Sequence, residues 1–202
     1  MKVRDVLPTR ENTDNFHIAP DSQTKVGTTV ENLKAAIMGE TGASAKYAAF
    51  SRIAREQGFD QIARQFEATS AAEQIHIEME YKLVKEVEPD YEKPAPPDMD
   101  GVNTDQNLIG AALGEIYETS DMYPSFIEKA VEEGNTRAVQ VFSRAKLAES
   151  VHAELYLASY NDIDAPDDDK YYLCPVCGYI HKGDDFEKCP ICGVLKAKFT
   201  AF

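Results

Sequence analysis

The chain has 202 residues, of which 43% are hydrophobic and 28% are charged, and its formal net charge is −14. This length supports one sizeable core and a small second unit, with the composition of an ordinary soluble globular protein. The acidity, without any cluster of basic residues, argues against a nucleic-acid partner. No apolar run approaches the ~18 residues of a membrane span, and the N-terminus lacks the apolar core of a signal peptide, so we expect a cytoplasmic protein with no membrane partner.

The first two predicted helices follow a segment without regular periodicity. Residues 1–26 include two prolines and are predicted to form an extended arm. Over residues 28–58, apolar side chains recur at helical spacing behind a threonine that can cap the helix. A second helix is predicted over residues 60–87, because the same periodicity resumes there and a proline follows shortly after.

Two further helices follow a long connection. Residues 88–104 include four prolines and many acidic side chains, so we predict a connection without its own core. Helical periodicity returns over about 105–133 and 135–161, and Pro124 is expected to kink the third helix. Four helices of this length predict an all-α four-helix bundle, assigned to residues 27–164.

The two helical halves are a repeat of one another. Glu40 on the first helix matches Glu115 on the third at an offset of 75 residues. Phe50 matches Phe126 at an offset of 76, which indicates that one residue has been inserted between these two landmarks. The second helix of each half carries a Glu-x-x-His motif, and these motifs are Glu73 with His76 and Glu149 with His152.

The spacing of these motifs predicts a metal site. A Glu and a His three residues apart lie on one face of a helix, one turn apart. One Glu from each of two helices and a Glu-x-x-His from each of the other two is typical of ferritin-like di-iron or di-manganese proteins. The alternative is an amphipathic bundle whose Glu and His side chains are solvated. It leaves the symmetric placement on apolar faces unexplained, and these groups would be costly to bury without metal.

One acidic residue breaks the repeat. Glu118 lies three residues after Glu115, whereas the matching position in the first half is Ala43. Glu118 is therefore a seventh candidate ligand, and one metal could exchange between it and His76 with oxidation state, since carboxylate favours ferric and imidazole ferrous iron. The alternative is that Glu118 is merely exposed. Tyr47 and the repeat-related Tyr123 are candidates either for hydrogen bonds to the ligands or for the core.

The cysteines form a separate module, assigned with its linker to residues 165–202. Two C-x-x-C pairs stand eleven residues apart, and four thiolates at such spacing predict one tetrahedral metal centre in a reducing compartment. This ligand set suits zinc or iron, and iron is favoured because a one-electron carrier has a use beside a di-iron bundle. The ligands are Cys174, Cys177, Cys189 and Cys192.

In the order of these motifs the chain resembles the rubrerythrin family, from about residue 20 to the end. The resemblance implies a di-iron site with the ligands Glu40, Glu73, His76, Glu115, Glu118, Glu149 and His152. It further implies a rubredoxin-like Fe(Cys)4 domain that relays electrons to this site for the reduction of hydrogen peroxide to water, in defence against oxidative stress. Expected partners are hydrogen peroxide, an electron donor (a rubredoxin or an NADH-dependent flavin reductase) and a second copy of the chain. The linker permits contact between the domains within one chain or across a dimer.

Two other functions are open at this point. The first is a ferroxidase or iron-handling protein, because the same bundle class serves that role. The second is a non-enzymatic scaffold with structural zinc in the four-cysteine site. Metal analysis separates these functions, because three irons per chain favour the redox enzyme and zinc favours the scaffold.

Overall fold

The protein is described by a computed structural model over residues 21–165 and 168–202. The predicted N-terminal arm therefore lies outside the described residues except for its last six. These follow the third helix of their own chain: the Gln23 amide donates to Asp121 at 3.1 Å, and the hydroxyls of Thr24 and Tyr117 are 2.9 Å apart. The described end of the arm thus packs on its own bundle.

The bundle has the four long helical segments that the periodicity predicts. A π-helical turn, Glu118–Met122, divides the third segment into two α-helices. Among the described residues, no helix is long and apolar enough to cross a membrane. The helices are α1 (Thr29–Glu56), α2 (Asp60–Val87), α3 (Thr104–Tyr117), α4 (Tyr123–Glu132) and α5 (Thr136–Asn161).

The sequence fixes the start of α1 through a capping box. The Thr28 hydroxyl accepts a hydrogen bond from the Glu31 amide, and the Glu31 carboxylate accepts one from the Thr28 amide at 2.8 Å. Two of the unpaired amides at the helix start are thereby satisfied. This anchors the helix that supplies Glu40.

The π-helical turn accounts for the inserted residue of the repeat. The Tyr123 amide donates to the carbonyl of Glu118, five residues back, so this turn holds one residue more than an α-helical turn. Pro124 follows directly as the second residue of α4. The interruption expected at Pro124 therefore lies in the turn before it, where the wider geometry accommodates a residue that lacks an amide proton.

Two hydrophobic layers fill the bundle. One contains Phe50, Phe66 and Tyr156, and the other contains Phe126 and Phe142. Along each helix the buried Glu and His residues lie between residues of these two layers. The layers close the polar cluster off from water above and below.

The small C-terminal domain is built on a three-stranded antiparallel sheet. The strands are β1 (Tyr171–Leu173), β2 (Ile180–Lys182) and β3 (Thr200–Ala201), in the order β2-β1-β3. Tyr171 and Leu173 join Ala68 and Ala72 of α2 in one apolar cluster. This packing holds the domain against the bundle of its own chain.

Candidate metal centres

Six of the seven predicted di-iron ligands converge inside the bundle. Each has a side chain that is at most 1% exposed. Among the described residues they form two overlapping groups, within each of which the donor atoms lie within 4.8 Å of one another. The first group is Glu40, Glu73, His76 and Glu149, and the second is Glu73, Glu115, Glu149 and His152.

Glu73 and Glu149 belong to both groups and lie between the two histidines. His76 Nδ1 is 2.6 Å from one oxygen of Glu149 and 3.0 Å from Glu73. His152 Nδ1 is 2.7 Å from the other oxygen of Glu149. The two carboxylates thus have the positions of groups that bridge a pair of ions.

The donor set fits metal ions. Both oxygens of Glu73 and Glu149, and Nδ1 of both histidines, are buried without a hydrogen bond of good geometry, although the ion-pair contacts above are short. Buried polar atoms are normally hydrogen-bonded, and gathering several carboxylates and imidazoles away from water is costly unless metal ions or retained protons compensate their charge. Oxygen and imidazole donors that converge in this way suit divalent iron and its neighbours.

Without metal, the cluster retains protons. Burial raises the pKa of Glu40 well above its usual range, and burial together with the charge of Glu149 raises the pKa of Glu115 to about 8. Burial opposes ionisation of Glu149 as well, but His76 and His152 outweigh it and lower its pKa below the usual range. Metal binding to these ligands therefore displaces protons.

The outer nitrogens of both histidines contact the cysteine module. His76 Nε2 is 3.1 Å from the carbonyl oxygen of Cys177, and His152 Nε2 is 2.9 Å from that of Gly178. A carbonyl can only accept a hydrogen bond, so each Nε2 is the donor. Nδ1 of each ring faces the carboxylate cluster, where it carries a proton in the metal-free protein and presents its lone pair when a metal replaces that proton. Such contacts fix the tautomer and orientation of a metal-binding histidine.

This contact requires glycine at position 178. The backbone there is left-handed, with φ of +73°, and an added Cβ would lie 2.2 Å from His76 Nε2. Gly193 occupies the equivalent position after the second C-x-x-C pair, also at positive φ (+80°), with nothing within 4 Å of an added Cβ. Of these two glycines, Gly178 is the one that lies against a histidine of the bundle.

The two predicted tyrosines each reach a glutamate of the opposite half. The Tyr47 hydroxyl donates to Glu115, and the Tyr123 hydroxyl donates to Glu40. Burial raises the pKa of both phenols well above the usual range, so both are neutral donors. Both rings also pack in the hydrophobic layers. Each tyrosine is therefore both a hydrogen-bond donor to a predicted ligand and part of the core, which the sequence analysis treated as alternatives.

Two acidic residues near the cluster lie outside both donor groups. Glu118, at the start of the π-helical turn, is half-buried and belongs to neither donor group; burial and then Glu115 raise the pKa of its carboxyl well above the usual range. Sequence reasoning missed Glu80, which is fully buried on α2. Its position one turn after His76, on the face that carries Glu73, was the signal that could have found it.

The four predicted cysteines form the second centre. Cys174 Sγ lies 3.4 Å from Cys192 Sγ and 3.6 Å from Cys177 Sγ, and Cys177 Sγ lies 3.5 Å from Cys189 Sγ. These distances are too long for disulfides and close to the ~3.8 Å edge of a tetrahedron with ~2.3 Å metal–sulfur bonds. Hydrogen bonds from the thiols of Cys174 and Cys177 lower the pKa of Cys189 to about 2.

Comparison with known families matches both parts of the chain. The rubrerythrin model matches residues 31–160, and the model of the rubrerythrin rubredoxin-like domain matches residues 172–200. The chain belongs to the rubrerythrin family. As a member it has the family's two metal centres, a di-iron site formed by the Glu/His cluster and a rubredoxin-like four-cysteine site.

Individual relatives agree with this assignment. The chain is 68% identical to nigerythrin of Nitratidesulfovibrio vulgaris over 202 residues, which cover all of both proteins. It is 34% identical to rubrerythrin-2 of Clostridium acetobutylicum over 86% of this chain and 96% of that protein. Nigerythrin in its fully reduced, all-ferrous state superposes with a TM-score of 0.92 over the full length of both chains. The N-terminal arm and the sequence from Gly114 to Pro124 indicate nigerythrin within the family, and the 68% identity confirms this interpretation.

Proposed function

We propose that the protein is a non-haem di-iron peroxidase that reduces hydrogen peroxide to water in defence against oxidative stress. Electrons reach the bundle through its own four-cysteine iron centre. The observation that supports this proposal best is the direct contact between that centre and both histidines of the cluster. Membership of the rubrerythrin family supports the same class of oxidoreductase.

The contact supports a short electron path. Cys177 is a proposed iron ligand through its Sγ, and its carbonyl accepts the hydrogen bond of His76. One residue and one hydrogen bond thus connect the two centres, and Gly178 offers a parallel connection to His152. A storage protein would have no use for such a path, which weighs against the ferroxidase function.

The proposed ligands act together with their surroundings. Bound iron supplies Lewis acidity and the two electrons that peroxide reduction consumes. Glu73 and Glu149, which belong to both donor groups, would help to hold both ions. Glu40 and His76 would complete the first group, and Glu115 and His152 the second. The hydrophobic layers exclude bulk water, the two carbonyls hold the histidine rings in one orientation, and Tyr47 and Tyr123 donate hydrogen bonds that orient the terminal glutamates.

We also propose that Glu118 exchanges with His76 as a ligand when the oxidation state changes. Here His76 is in the donor group and Glu118 is outside it. The π-helical turn at Glu118 is one in which the hydrogen-bond register is already altered, so reorientation there disturbs less regular structure. Crystal structures of the oxidised and reduced forms with one and the same ligand set would rule the exchange out.

Electron relay is tested by Gly178→Ala with Gly193→Ala as the matched control. Both substitutions place Cβ at positive φ, but only the first collides with a histidine. We expect Gly178→Ala to slow the peroxide-driven reoxidation of the four-cysteine centre at least ~10-fold in stopped-flow spectroscopy, while Gly193→Ala stays near the parent. Equal rates in both variants would contradict a relay through this contact.

Substrate choice is tested anaerobically on the fully reduced protein. We expect hydrogen peroxide to reoxidise both centres faster than dioxygen does. If dioxygen is clearly faster, the peroxidase proposal fails and an oxidase or ferroxidase function takes its place. Cys177→Ser should keep a single turnover at the di-iron site and lose steady-state turnover.

The identity of the metal in the four-cysteine site separates the enzyme from the scaffold. We expect three irons per chain and a visible spectrum that bleaches on reduction. A colourless protein with one zinc per chain would contradict electron relay through the four-cysteine site. The proposed external donor is a rubredoxin or an NADH-dependent flavin reductase, which can be identified by reconstituting NADH-dependent peroxide reduction.

We further propose a cytoplasmic homodimer, with an arm over residues 1–26, the bundle over 27–164 and the rubredoxin-like domain over 165–202. Exposed apolar side chains at repeat-related positions support a second copy as partner, since Met38 is 65% and Leu113 57% exposed. Leu113→Glu should shift the protein towards monomer in sedimentation experiments. The contact between domains is formed within one chain here, and mixed dimers of Cys177→Ser and Glu149→Ala chains test whether it also forms across the dimer.

A further inference from the structure

Glu80 is a buried acid to which the proposed mechanism gives no role. Its side chain is fully buried on α2, and it belongs to neither donor group. One carboxyl oxygen is 3.1 Å from the Tyr123 hydroxyl. The other has no hydrogen-bond partner, and no ion pair to Glu80 occurs in the part of the chain that the structure describes.

The single proton of the Tyr123 hydroxyl bears on the protonation state of Glu80. The Tyr123 hydroxyl has one proton and lies against two carboxyls, those of Glu40 and Glu80. Glu40 is a proposed metal ligand and gives up its proton to bind, so the phenolic proton is directed to Glu40. An ionised Glu80 would then face the lone pairs of the phenol oxygen from a fully buried position, with no ion-pair partner among the described residues, which is unfavourable.

We propose that Glu80 is an uncharged carboxylic acid and a positioning residue of the di-iron site. It donates a hydrogen bond to Tyr123, which thereby directs its own proton to Glu40. The chain of donors orients the Glu40 carboxylate without placing another negative charge beside the metals. Burial raises the pKa of Glu80 to about 8, which agrees with the neutral form.

The repeat gives this proposal an internal comparison. Glu80 corresponds to Tyr156 in the second half, and the Tyr156 ring packs on Tyr47 at 5.5 Å. No hydrogen bond to Tyr47 from a second carboxyl is found among the described residues, and Tyr47 donates to Glu115. The acid-to-phenol-to-ligand chain therefore serves only the Glu40 side of the site.

Infrared spectroscopy tests the protonation state directly. Iron-loaded parent protein at neutral pH should show the carbonyl stretch of a protonated carboxylic acid, and Glu80→Gln should lose it. Glu86→Gln, an exposed position on the same helix that pairs with Arg137, is the matched control and should keep the band. A difference spectrum in which Glu80→Gln loses no such band would overturn the proposal.

A second set of variants tests positioning. An amide at position 80 can still donate to Tyr123, whereas Glu80→Leu fills the space without a donor. With Co²⁺ as the probe metal, we expect Glu80→Gln to keep the parent absorption spectrum and Glu80→Leu to change it. Turnover should stay within about twofold for Gln and fall ~10–100-fold for Leu, as for other groups that orient a ligand.

The pathway through Tyr123 is tested by a double-mutant cycle. If Glu80 acts through that phenol, Glu80→Leu should add no further change in the Co²⁺ spectrum or turnover on a Tyr123→Phe background. Additive effects of the two substitutions would overturn the proposal. So would a Glu80→Gln variant as impaired as Glu80→Leu, because the role would then depend on charge or proton transfer and not on a donor.

Discussion

The two helical hairpins share one plan and differ at three places around the cluster. The second hairpin has Glu118 where the first has Ala43, and it contains the π-helical turn. The first has Glu80 where the second has Tyr156. Both acids act on Glu40. Burial and then the charge of Glu118 raise the pKa of the Glu40 carboxyl, and Glu80 contacts the same Tyr123 hydroxyl that donates to Glu40.

This difference separates the functions of the two halves of the site. The repeat supplies equivalent ligands, a crossed pair of tyrosines and two hydrophobic layers, which together define the framework. The departures from the repeat gather at Glu40 and His76, where a ligand exchange is proposed. No exchange is proposed for Glu115 and His152, although the charge of Glu115 also acts on Glu118. Under the proposed exchange, one side of the site is fixed and the other is adjustable.

The largest effect is expected from removing a residue that both halves share. Glu149→Ala deletes a donor from both groups, whereas Glu40→Ala deletes one from the first group only. We expect Glu149→Ala to lose both irons of the bundle and more activity than the ~10–100-fold typical of ligand-supporting groups. Iron content per chain measures this, with retention of the four-cysteine iron and helical circular dichroism as controls. Two irons retained in Glu149→Ala would show that the halves bind independently.

The equivalence of the hydrophobic layers is tested at a repeat-related pair. Phe66 and Phe142 are both 0% exposed, one in each layer. Replacing either by Ala should lower the free energy of unfolding by about 3–5 kcal/mol, because each removes the same buried volume. Urea denaturation of the metal-loaded proteins measures both. A difference of more than ~2 kcal/mol would mean that one layer relaxes into the cavity and the other does not.

The pH dependence of stability is expected to follow the buried acids. In metal-free protein the pKa of Glu80 and of Glu115 is raised from 4.5 to about 8, chiefly by burial. The folded state therefore binds more protons than the unfolded state, and the free energy of unfolding falls as pH rises from 4.5 to 8. The loss should exceed ~1.4 kcal/mol, the equivalent of one pKa unit for one group.

Urea unfolding at both ends of that range measures this dependence. Glu80→Gln should make the dependence of the unfolding free energy on pH less steep, because it removes the contribution of Glu80. Iron-loaded protein should show the opposite slope, because deprotonated ligands bind metal more strongly as pH rises. A metal-free protein that is more stable at the alkaline end would contradict the expectation.

The smallest effect is expected at the tyrosines. Tyr47→Phe removes one hydrogen bond to Glu115, worth about 0.5–1.5 kcal/mol of unfolding free energy. Tyr123→Phe should cost more than this, because it also leaves Glu80 without its partner. Thermal and urea unfolding of the iron-loaded variants compare the two. Equal costs would indicate that the Glu80 contact contributes nothing.

Spacing and repetition made most of this architecture predictable. Glu-x-x-His on two helices placed its residues on inward faces, and paired C-x-x-C motifs brought four sulfurs together. The π-helical turn was present in the sequence as the change of offset between Glu115 and Phe126, but an inserted residue can equally form a loop. Glu80 was missed because an acid one turn beyond a ligand resembles a solvated helix face, and only the three-dimensional position of Tyr123 shows otherwise. The contact of Gly178 depends on how two domains pack, which no local pattern encodes.

That contact has a consequence for how the small domain is recognised. The two C-x-x-C loops have nearly the same sequence, and the atoms that meet the histidines are main-chain carbonyls, which every residue possesses. The choice of loop must therefore come from elsewhere, from the apolar side chains of Tyr171 and Leu173 that seat the sheet on α2. Side chains therefore determine how the small domain is oriented on the bundle, and main-chain carbonyls form its contact with the histidines. An unrelated four-cysteine domain with a glycine after its second cysteine could therefore be docked on this bundle by giving it the apolar side chains that pack on α2.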